Sequence, residues 1–394
     1  MLENTAIIFT WAAEAGGEIL EQIITDFEAE NPNIKVELVT LPFGEVRTQA
    51  VAGQLSRSIP DIIAMNPPWT REFYDLNMLA PLDDFMLNDE TFDKEAYFPT
   101  VLEKIEGSTY LVPVNSLAFY LYCNNTMFEA AGLELPKNWD DILTAAKTLT
   151  SVPDNQYGIT LTMSEQEAAN GSILSIYPLL YANNGRTFID GKFTVETEEM
   201  REVLTLLEQI RKDESMLPGV TSRGEIPNVE LFANGNVGML IANDASYLTV
   251  LDRNPELDFS VIPIPTKDGT GEPELRHHGW DVAISSTSEH KEEAWKFISY
   301  MTSQKNMTAM CEDLLKFPAR YDVEVTWPEK YPQGEVLAKS LQELNLVEEL
   351  MYMPNASSCW VDLTKVGAAI LTGGMSVDEA ITYVQEAWDE RLEQ

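Results

Sequence analysis

Four of the eight tryptophans fall where a flat ring would be offered to a ligand: Trp11 closes an apolar run, Trp69 follows another, Trp280 precedes Asp281-Val282-Ala283-Ile284, and Trp360 follows Ser357-Ser358-Cys359. Strand ends and loops are where binding residues concentrate. A sugar ring has apolar C–H faces and a rim of hydroxyls. It is held by an aromatic plate under the ring and by carboxylate, amide or guanidinium groups around its edge. Glu14, Glu45, Asn66, Asp244, Asp281 and Arg320 are the matching polar candidates in the same stretches. Each of them could equally cap a helix or lie on a solvated surface. The other tryptophans fit structural roles: Trp295 and Trp388 in helix cores, Trp139 at a helix start, and Trp327 before Pro328 in a connecting loop.

The common catalytic signatures are missing. GxSxG, GxGxxG, GxxxxGK[ST] and HExxH do not occur, so no motif supports a hydrolase elbow, a dinucleotide or nucleotide loop, or a zinc protease. His277 and His278 are adjacent, and neighbours on an extended segment point to opposite faces, so they read as loop histidines and not as a metal pair. Acidic pairs such as Asp83-Asp84 and Asp140-Asp141 fit helix starts, and 64 carboxylates make chance pairs common. Cys123, Cys311 and Cys359 lie far apart with no CxxC. Cys123 reads as a small buried hydrophobe, and a Cys311–Cys359 disulfide stays open. The expectation is therefore no catalytic residue, no metal and no cofactor.

The elements that must position these side chains follow a repeated order. Ile7-Ile8-Phe9-Thr10-Trp11 is a strand and 12–17 a small-residue loop. Ile19, Leu20, Ile23, Ile24 and Phe27 then recur at helical spacing until Asn31-Pro32 stops the helix. Ile34, Val36 and Leu38 alternate as a second strand. A helix from Gly44 to Ser56 with Val46, Val51 and Leu55 inward leads to a third strand over 61–65. This βαβαβ order implies a parallel sheet with right-handed crossovers, and ligands of such sheets sit beyond the carboxyl ends of the strands. The loops after Trp11, Leu41 and Met65 should line one cleft.

Further along, 111–125 is too long for one ordinary strand of about 5–6 residues and reads as a segment crossing between lobes. Asn138 is a candidate cap before Trp139-Asp140-Asp141. The stretch 259–265, with prolines inside it, is a second extended piece confined to an edge or a crossing. Several crossings make both lobes discontinuous in sequence.

With 394 residues and 44% apolar content, two lobes with real cores are affordable in sequence length. A net charge of −38 argues against nucleic acid and anionic membrane surfaces, which are bound through Lys and Arg. No run approaches the ~18 apolar residues of a membrane span. No signal peptide is legible, and a chain starting at an added Met1 would carry none.

The ordered pieces 7–17, Asn33-Ile34-Lys35-Val36, Pro60-Asp61-Ile62-Ile63 and 113–124 begin a series that covers nearly the whole chain. It continues through Phe128-Glu129-Ala130-Ala131-Gly132-Leu133, Ala182-Asn183-Asn184-Gly185, Phe232-Ala233-Asn234-Gly235 and Ile262-Pro263-Ile264-Pro265. Gly279-Trp280-Asp281-Val282-Ala283-Ile284, Phe317-Pro318-Ala319-Arg320 and Val377-Asp378-Glu379-Ala380 complete it. This series resembles the extracellular solute-binding proteins of ABC sugar importers, the group that includes maltose-binding protein.

The resemblance implies an α/β fold of the periplasmic-binding-protein type II class: two discontinuous α/β lobes joined by a three-segment hinge. Crossings are expected near 112–122, 260–266 and 315–320, giving an N-terminal lobe of 1–114 plus 266–315 and a C-terminal lobe of 115–265 plus 316–394. It places Trp360 as a stacking ring, Tyr177 as a second-lobe contact, Glu14 near an acidic sugar contact, and Phe43 with Glu45 near a polar pair. Asp244-Ala245 stands where relatives often have Pro-Trp, so that plate is absent unless Tyr247 replaces it.

The resulting expectation is a binder and not an enzyme: the substrate-binding component of an ABC transporter. It would capture an oligosaccharide or glycoside in an interlobe cleft and deliver it to the permease transmembrane subunits. It would be a monomer, outside the cytoplasm as a surface lipoprotein or in a periplasm, with no nucleic-acid partner. The same clamp could instead hold a polyamine, a glycerophosphodiester or a peptide. A glycoside-active enzyme would need two facing carboxylates about 5–9.5 Å apart.

Overall fold

The computed structural model describes residues 5–12, 17–56, 58–99, 102, 104–164, 171–329, 331–349 and 352–392, with only the backbone of 43, 44 and 278. In chain order the strands are β1 Thr5–Ala12, β2 Ile34–Leu41, β3 Ile62–Met65, β4 Val112–Pro113, β5 Leu117–Asn124, β6 Tyr157–Thr160 and β7 Phe188–Ile189. They continue with β8 Lys192–Phe193, β9 Val237–Asn243, β10 Phe259–Ile262, β11 Leu275–His278, β12 Asp281–Ile284 and β13 Leu346–Val347. Contacts divide the chain into two units: residues 1–117, 278–327 and 350–354, and residues 118–277, 328–349 and 355–394.

In the first unit the sheet order is β2-β1-β3-β12-β4. β1 runs parallel to β2 and to β3, as the βαβαβ reading requires, while β12 is antiparallel to both β3 and β4. Alternation along β1 puts Ile7, Phe9 and Trp11 on one buried face and leaves Ile8 41% exposed. The helix Glu18–Glu30 covers that face with Leu20, Ile23, Ile24 and Phe27. Phe27 and Phe9 both meet Phe297 of the helix Lys291–Met301, at 5.1 and 5.6 Å between ring centroids. Asn31 ends the first helix by donating from its side chain to the Phe27 carbonyl at 2.9 Å. In the helix Phe43–Ser56, Val46 and Ala50 turn inward. Leu55, expected to be buried, is 85% exposed, because its position falls outside the stripe that Val46 and Ala50 define.

In the second unit β5 is central: the order is β13-β11-β5-β9-β6, and β10 also pairs with β5. β5 is antiparallel to β9 and β10, and β6 is parallel to β9. Its side chains from Ala118 to Cys123 are all buried, as a strand covered on both faces demands. Asn138 caps the helix Trp139–Thr148 by accepting from Asp141 N at 2.8 Å, and Trp139 Nε1 donates to the Pro265 carbonyl at 2.9 Å. The helix Glu198–Lys212 buries Met200, Val203, Leu204, Leu207 and Ile210.

The long extended stretch beginning near 111 is broken into β4 and β5, and the change of unit falls after Leu117. The next two changes fall at 277 and 327, later than the expected 266 and 315, and a further short piece up to Pro354 returns to the first unit. Residues 266–277 stay with the second unit, where β11 pairs in parallel with β13 through Leu275↔Leu346 and Arg276↔Val347. Residues 316–327 stay with the first, where Phe317 accepts from Ser116 N at 2.7 Å and Tyr321 N donates to Ala96 at 2.7 Å.

Candidate ligand-binding site

The first unit gathers tryptophans at the carboxyl end of β3. Asp281 of β12 stands opposite Met65, the last residue of β3, so Trp280 and Asn66 flank the same pair of strand ends. Asn66 leads into the turn Pro67–Trp69, whose two prolines fix φ where a tight turn needs it. Trp69 lies edge-to-face with Trp280 at 6.4 Å and is backed by Phe73 at 6.3 Å. Trp280 is half-buried, Trp69 is 8% exposed, and Asn66 is half-buried. Asp281 is buried. Glu45 is exposed in the first turn of the helix Phe43–Ser56, where the helix dipole favours a carboxylate.

Trp11 joins this aromatic group from below. It is 3% exposed, held between Phe9 and Trp280 at 5.6 Å from each, so its ring is a floor for Trp280 and not itself an open plate. Arg320 lies elsewhere in the unit, with its donors committed. Nε and Nη2 fork onto Asp322 at 2.8 and 2.7 Å, Nη1 donates to the Thr302 carbonyl at 3.3 Å, and the guanidinium covers the Tyr97 ring at 4.9 Å. A bidentate pair of this kind positions a loop, which is a different task from the hydroxyl reader expected of Arg320. Glu14 and the side chain of Phe43 lie outside the described residues.

In the second unit Trp360 occupies the first turns of the helix Ala356–Thr372 and is 2% exposed. Its carbonyl accepts from Ser172 Oγ, while Ser172 N donates to Thr364 Oγ1 at 2.9 Å. These bonds tie that helix to a π-helical turn, Ser172–Ile176, that opens the helix Tyr177–Ala182. Such π turns accompany functional sites often enough to be informative. Here the turn needs close approach: a Cβ on Gly171 would sit 2.5 Å from the Thr364 methyl.

Tyr177 is fully buried, with its hydroxyl 3.4 Å from Thr187 Oγ1 and its ring 5.5 Å from Tyr181. Burial pushes the Tyr177 hydroxyl up, so it keeps its proton. Asp244 is buried and clasps the start of β5: Oδ2 accepts from Ala118 N at 2.9 Å, and its own N–H donates to the Ala118 carbonyl at 3.0 Å. Tyr247, considered as a substitute plate, stacks on Tyr331 at 4.3 Å and is 2% exposed, so it belongs to the core.

The structure thus brings Asn66, Trp69, Trp280 and Asp281 together in one unit, with Trp11 beneath. It brings Trp360 and the Tyr177 helix together in the other. Glu45 lies exposed in the first turn of its helix, Arg320 is bonded to Asp322 and Thr302, and Asp244 is bonded to the start of β5. Sequence reasoning missed Arg276 and Glu348, a buried ion pair at 3.3 Å. It also treated His277 as a loop residue, whereas it is a fully buried position of β11; burial, and then the neighbouring Arg276, lower its pKa to about 3. The signal for this pair was the short strand β13 followed at once by Glu348-Glu349, which no local periodicity links to β11. The three cysteines are free and buried, with Cys311 in the first unit and Cys359 in the second.

No helix among the described residues is long and apolar enough to cross a membrane. Residues 11–308 match the family described as bacterial extracellular solute-binding proteins. A putative binding protein of Brucella abortus is 28% identical over 290 residues, covering 72% of this chain and 68% of its own length. The multiple sugar-binding protein of Streptococcus mutans is 24% identical over 305 residues, 73% of this chain and 69% of its own. In fold, the chain is similar to an ABC substrate-binding protein of Listeria monocytogenes in complex with cycloalternan. That likeness has a TM-score of 0.81 and 21% identity, over 99% of this chain and 100% of that one. With a match that spans well over half of its length and a type II periplasmic-binding-protein fold around its aromatic groups, the chain belongs to the bacterial extracellular solute-binding protein family.

Proposed function

We propose that this chain is the substrate-binding component of an ABC importer for a carbohydrate, an oligosaccharide or a glycoside of similar size, which it hands to the transmembrane permease subunits. The observation that carries the reading is the pairing of Trp69 and Trp280 beside Asn66 and Asp281, an aromatic plate with hydroxyl-binding groups at its rim. The named sugar binding of the S. mutans relative and of the Listeria protein supports the same ligand class. Trp360 and Tyr177 are the second unit's candidates, and Glu45 is a rim group of the first.

The reading requires no bond making or breaking by the protein. A ligand moves a conformational equilibrium only by its differential affinity for the states. A sugar would therefore favour whichever state binds it more tightly. Work as a monomer outside the cytoplasm, anchored to the cell surface or free in a periplasm, belongs to this reading.

The test is intrinsic tryptophan fluorescence against a panel of mono- and oligosaccharides, followed by calorimetry on the hits. Saturable binding that falls about ten-fold or more in both Trp280→Ala and Trp360→Ala is expected. A panel without a hit, alongside binding of a polyamine or glycerophosphodiester, overturns it.

A further inference from the structure

Among the described residues two arginines are buried, and they are treated differently. Arg320 places every edge of its guanidinium on a partner. Arg276 does not. Its side chain has no exposure, yet only Nη2 is bonded, to Glu348 Oε2 at 3.3 Å. Nε and Nη1 are buried without a hydrogen-bond partner while the guanidinium lies 4.8 Å above the Phe119 ring. A buried charged donor left unmade is costly and calls for an explanation. The hydroxyl of Tyr181, also buried and without a partner, lies within electrostatic reach of Arg276, Glu348 and Glu349. Burial first, then those carboxylates, hold its proton in place, so it too can donate.

The geometry narrows what would accept these protons. Nε–H and the Nη1 protons leave different edges of the planar guanidinium, so they do not form one fork for one carboxylate. They suit two separate oxygens. Charge argues the same way: Arg276 and Arg186 stand with Glu274, Glu348 and Glu349, which leaves no positive surplus to hold an anion. A hydroxyl accepts from an N–H and still donates onward, so it fits a mixed cluster better than a carboxylate does.

We propose that Arg276, held by Glu348 and backed by Phe119, is a ligand-binding residue of the second unit that donates from Nε and Nη1 to two hydroxyl oxygens of a neutral saccharide. This assignment rests on the carbohydrate reading and sharpens it toward uncharged sugars. The cluster is covered in this structure, so binding is coupled to a local opening that admits the hydroxyls.

The test compares wild-type protein with the double variant Arg276→Met, Glu348→Leu, which removes both charges and so leaves none unpaired. The ligand is the tightest saccharide of the panel, and the readouts are calorimetric affinity and Tm. The double variant is expected to keep its Tm within about 5 °C and to lose affinity by about ten-fold or more. Deoxy analogues lacking one hydroxyl should lose affinity for the wild type and not for the variant.

Unchanged affinity in the variant overturns the assignment and leaves an ion pair with a buried water only. A uronate analogue that binds the wild type more tightly than the neutral sugar overturns it as well. If the double variant does not fold, Arg276→Lys decides, because it keeps the charge against Glu348 and loses the planar donors: a drop of about ten-fold supports the assignment and no change overturns it. A wild type that binds no saccharide overturns the carbohydrate reading and this assignment together. A wild type that binds, with a variant that binds equally well, overturns this assignment alone.

Discussion

The Trp280 N–H donates to Asn115 Oδ1 at 3.0 Å, and one residue earlier a Cβ on Gly279 would lie 2.0 Å from the Asn115 carbonyl oxygen. The half-buried plate of the first unit is therefore set by a backbone approach that only glycine permits. Gly279→Ala forces the chain away from Asn115, since the obstacle is backbone and not a flexible side chain. A loss of at least about 2 kcal/mol is expected in urea unfolding, with an altered tryptophan emission maximum because Trp280 moves with its neighbour.

His277 makes stability depend on pH. Its pKa is lowered from 6.5 to about 3 in the native state, by burial first and then by Arg276. Between those values the unfolded chain binds a proton that the native state does not, so stability rises with pH and is lost as pH falls from 6.5 toward 3. At pH 5 the loss relative to pH 8 is on the order of 2 kcal/mol from this residue. Unfolding curves at pH 5 and pH 8 measure it, and His277→Gln should flatten the difference by that amount. An equal difference in both proteins assigns the effect to other groups.

Cys123, Cys311 and Cys359 should be silent in the native protein. All three are buried and free, and burial pushes the thiols of Cys311 and Cys359 up to about 12, so almost no thiolate exists at neutral pH. Titration with a thiol reagent is expected to find essentially no fast-reacting group in buffer and all three in denaturant. A missing thiol in the denatured, non-reduced protein would reveal a disulfide.

Asn138 offers a local check on the second unit. Its side chain accepts from Asp141 N at 2.8 Å and satisfies one of the orphan N–H groups at the start of the helix Trp139–Thr148. Asn138→Ala should cost about 1 kcal/mol in chemical denaturation without changing saccharide affinity, since Trp139 itself is committed to Pro265.

The local grammar of the chain was legible where hydrogen bonds and burial stay close in sequence. The β1–helix–β2–helix–β3 unit, the Asn31 stop and the Asn138 cap each follow from a short window of residues. Trp11 shows information that was present and misweighed. It shares a strand face with Ile7 and Phe9, so period-two alternation already assigned it to the core and only its position at the strand end suggested otherwise. Arg320 and Asp244 show the limit of residue type. Asp322 sits two positions from Arg320 and takes its fork, whereas Ala118, 126 positions from Asp244, takes the carboxylate through a pairing that no window contains. Arg276, Glu348 and the extent of 266–277 were hidden for the same reason: they depend on β11 meeting β13, two short strands separated by an entire set of helices. The π turn at Ser172–Ile176 was hidden because its cause is the Thr364 and Trp360 helix packed against Gly171, not the sequence of the turn.

The position of β12 between β3 and β4 has a consequence for biosynthesis. β3 is made early and its partner Asp281–Ile284 late, so the first sheet waits for most of the chain with one edge open. Closing so distant a pair is slow, and an open, fully apolar edge is a template for pairing with other chains. A nascent fragment that stops short of Asp281 would therefore need a chaperone to stay apart from its neighbours, whereas release from that need should arrive abruptly once Ile284 has cleared the ribosome.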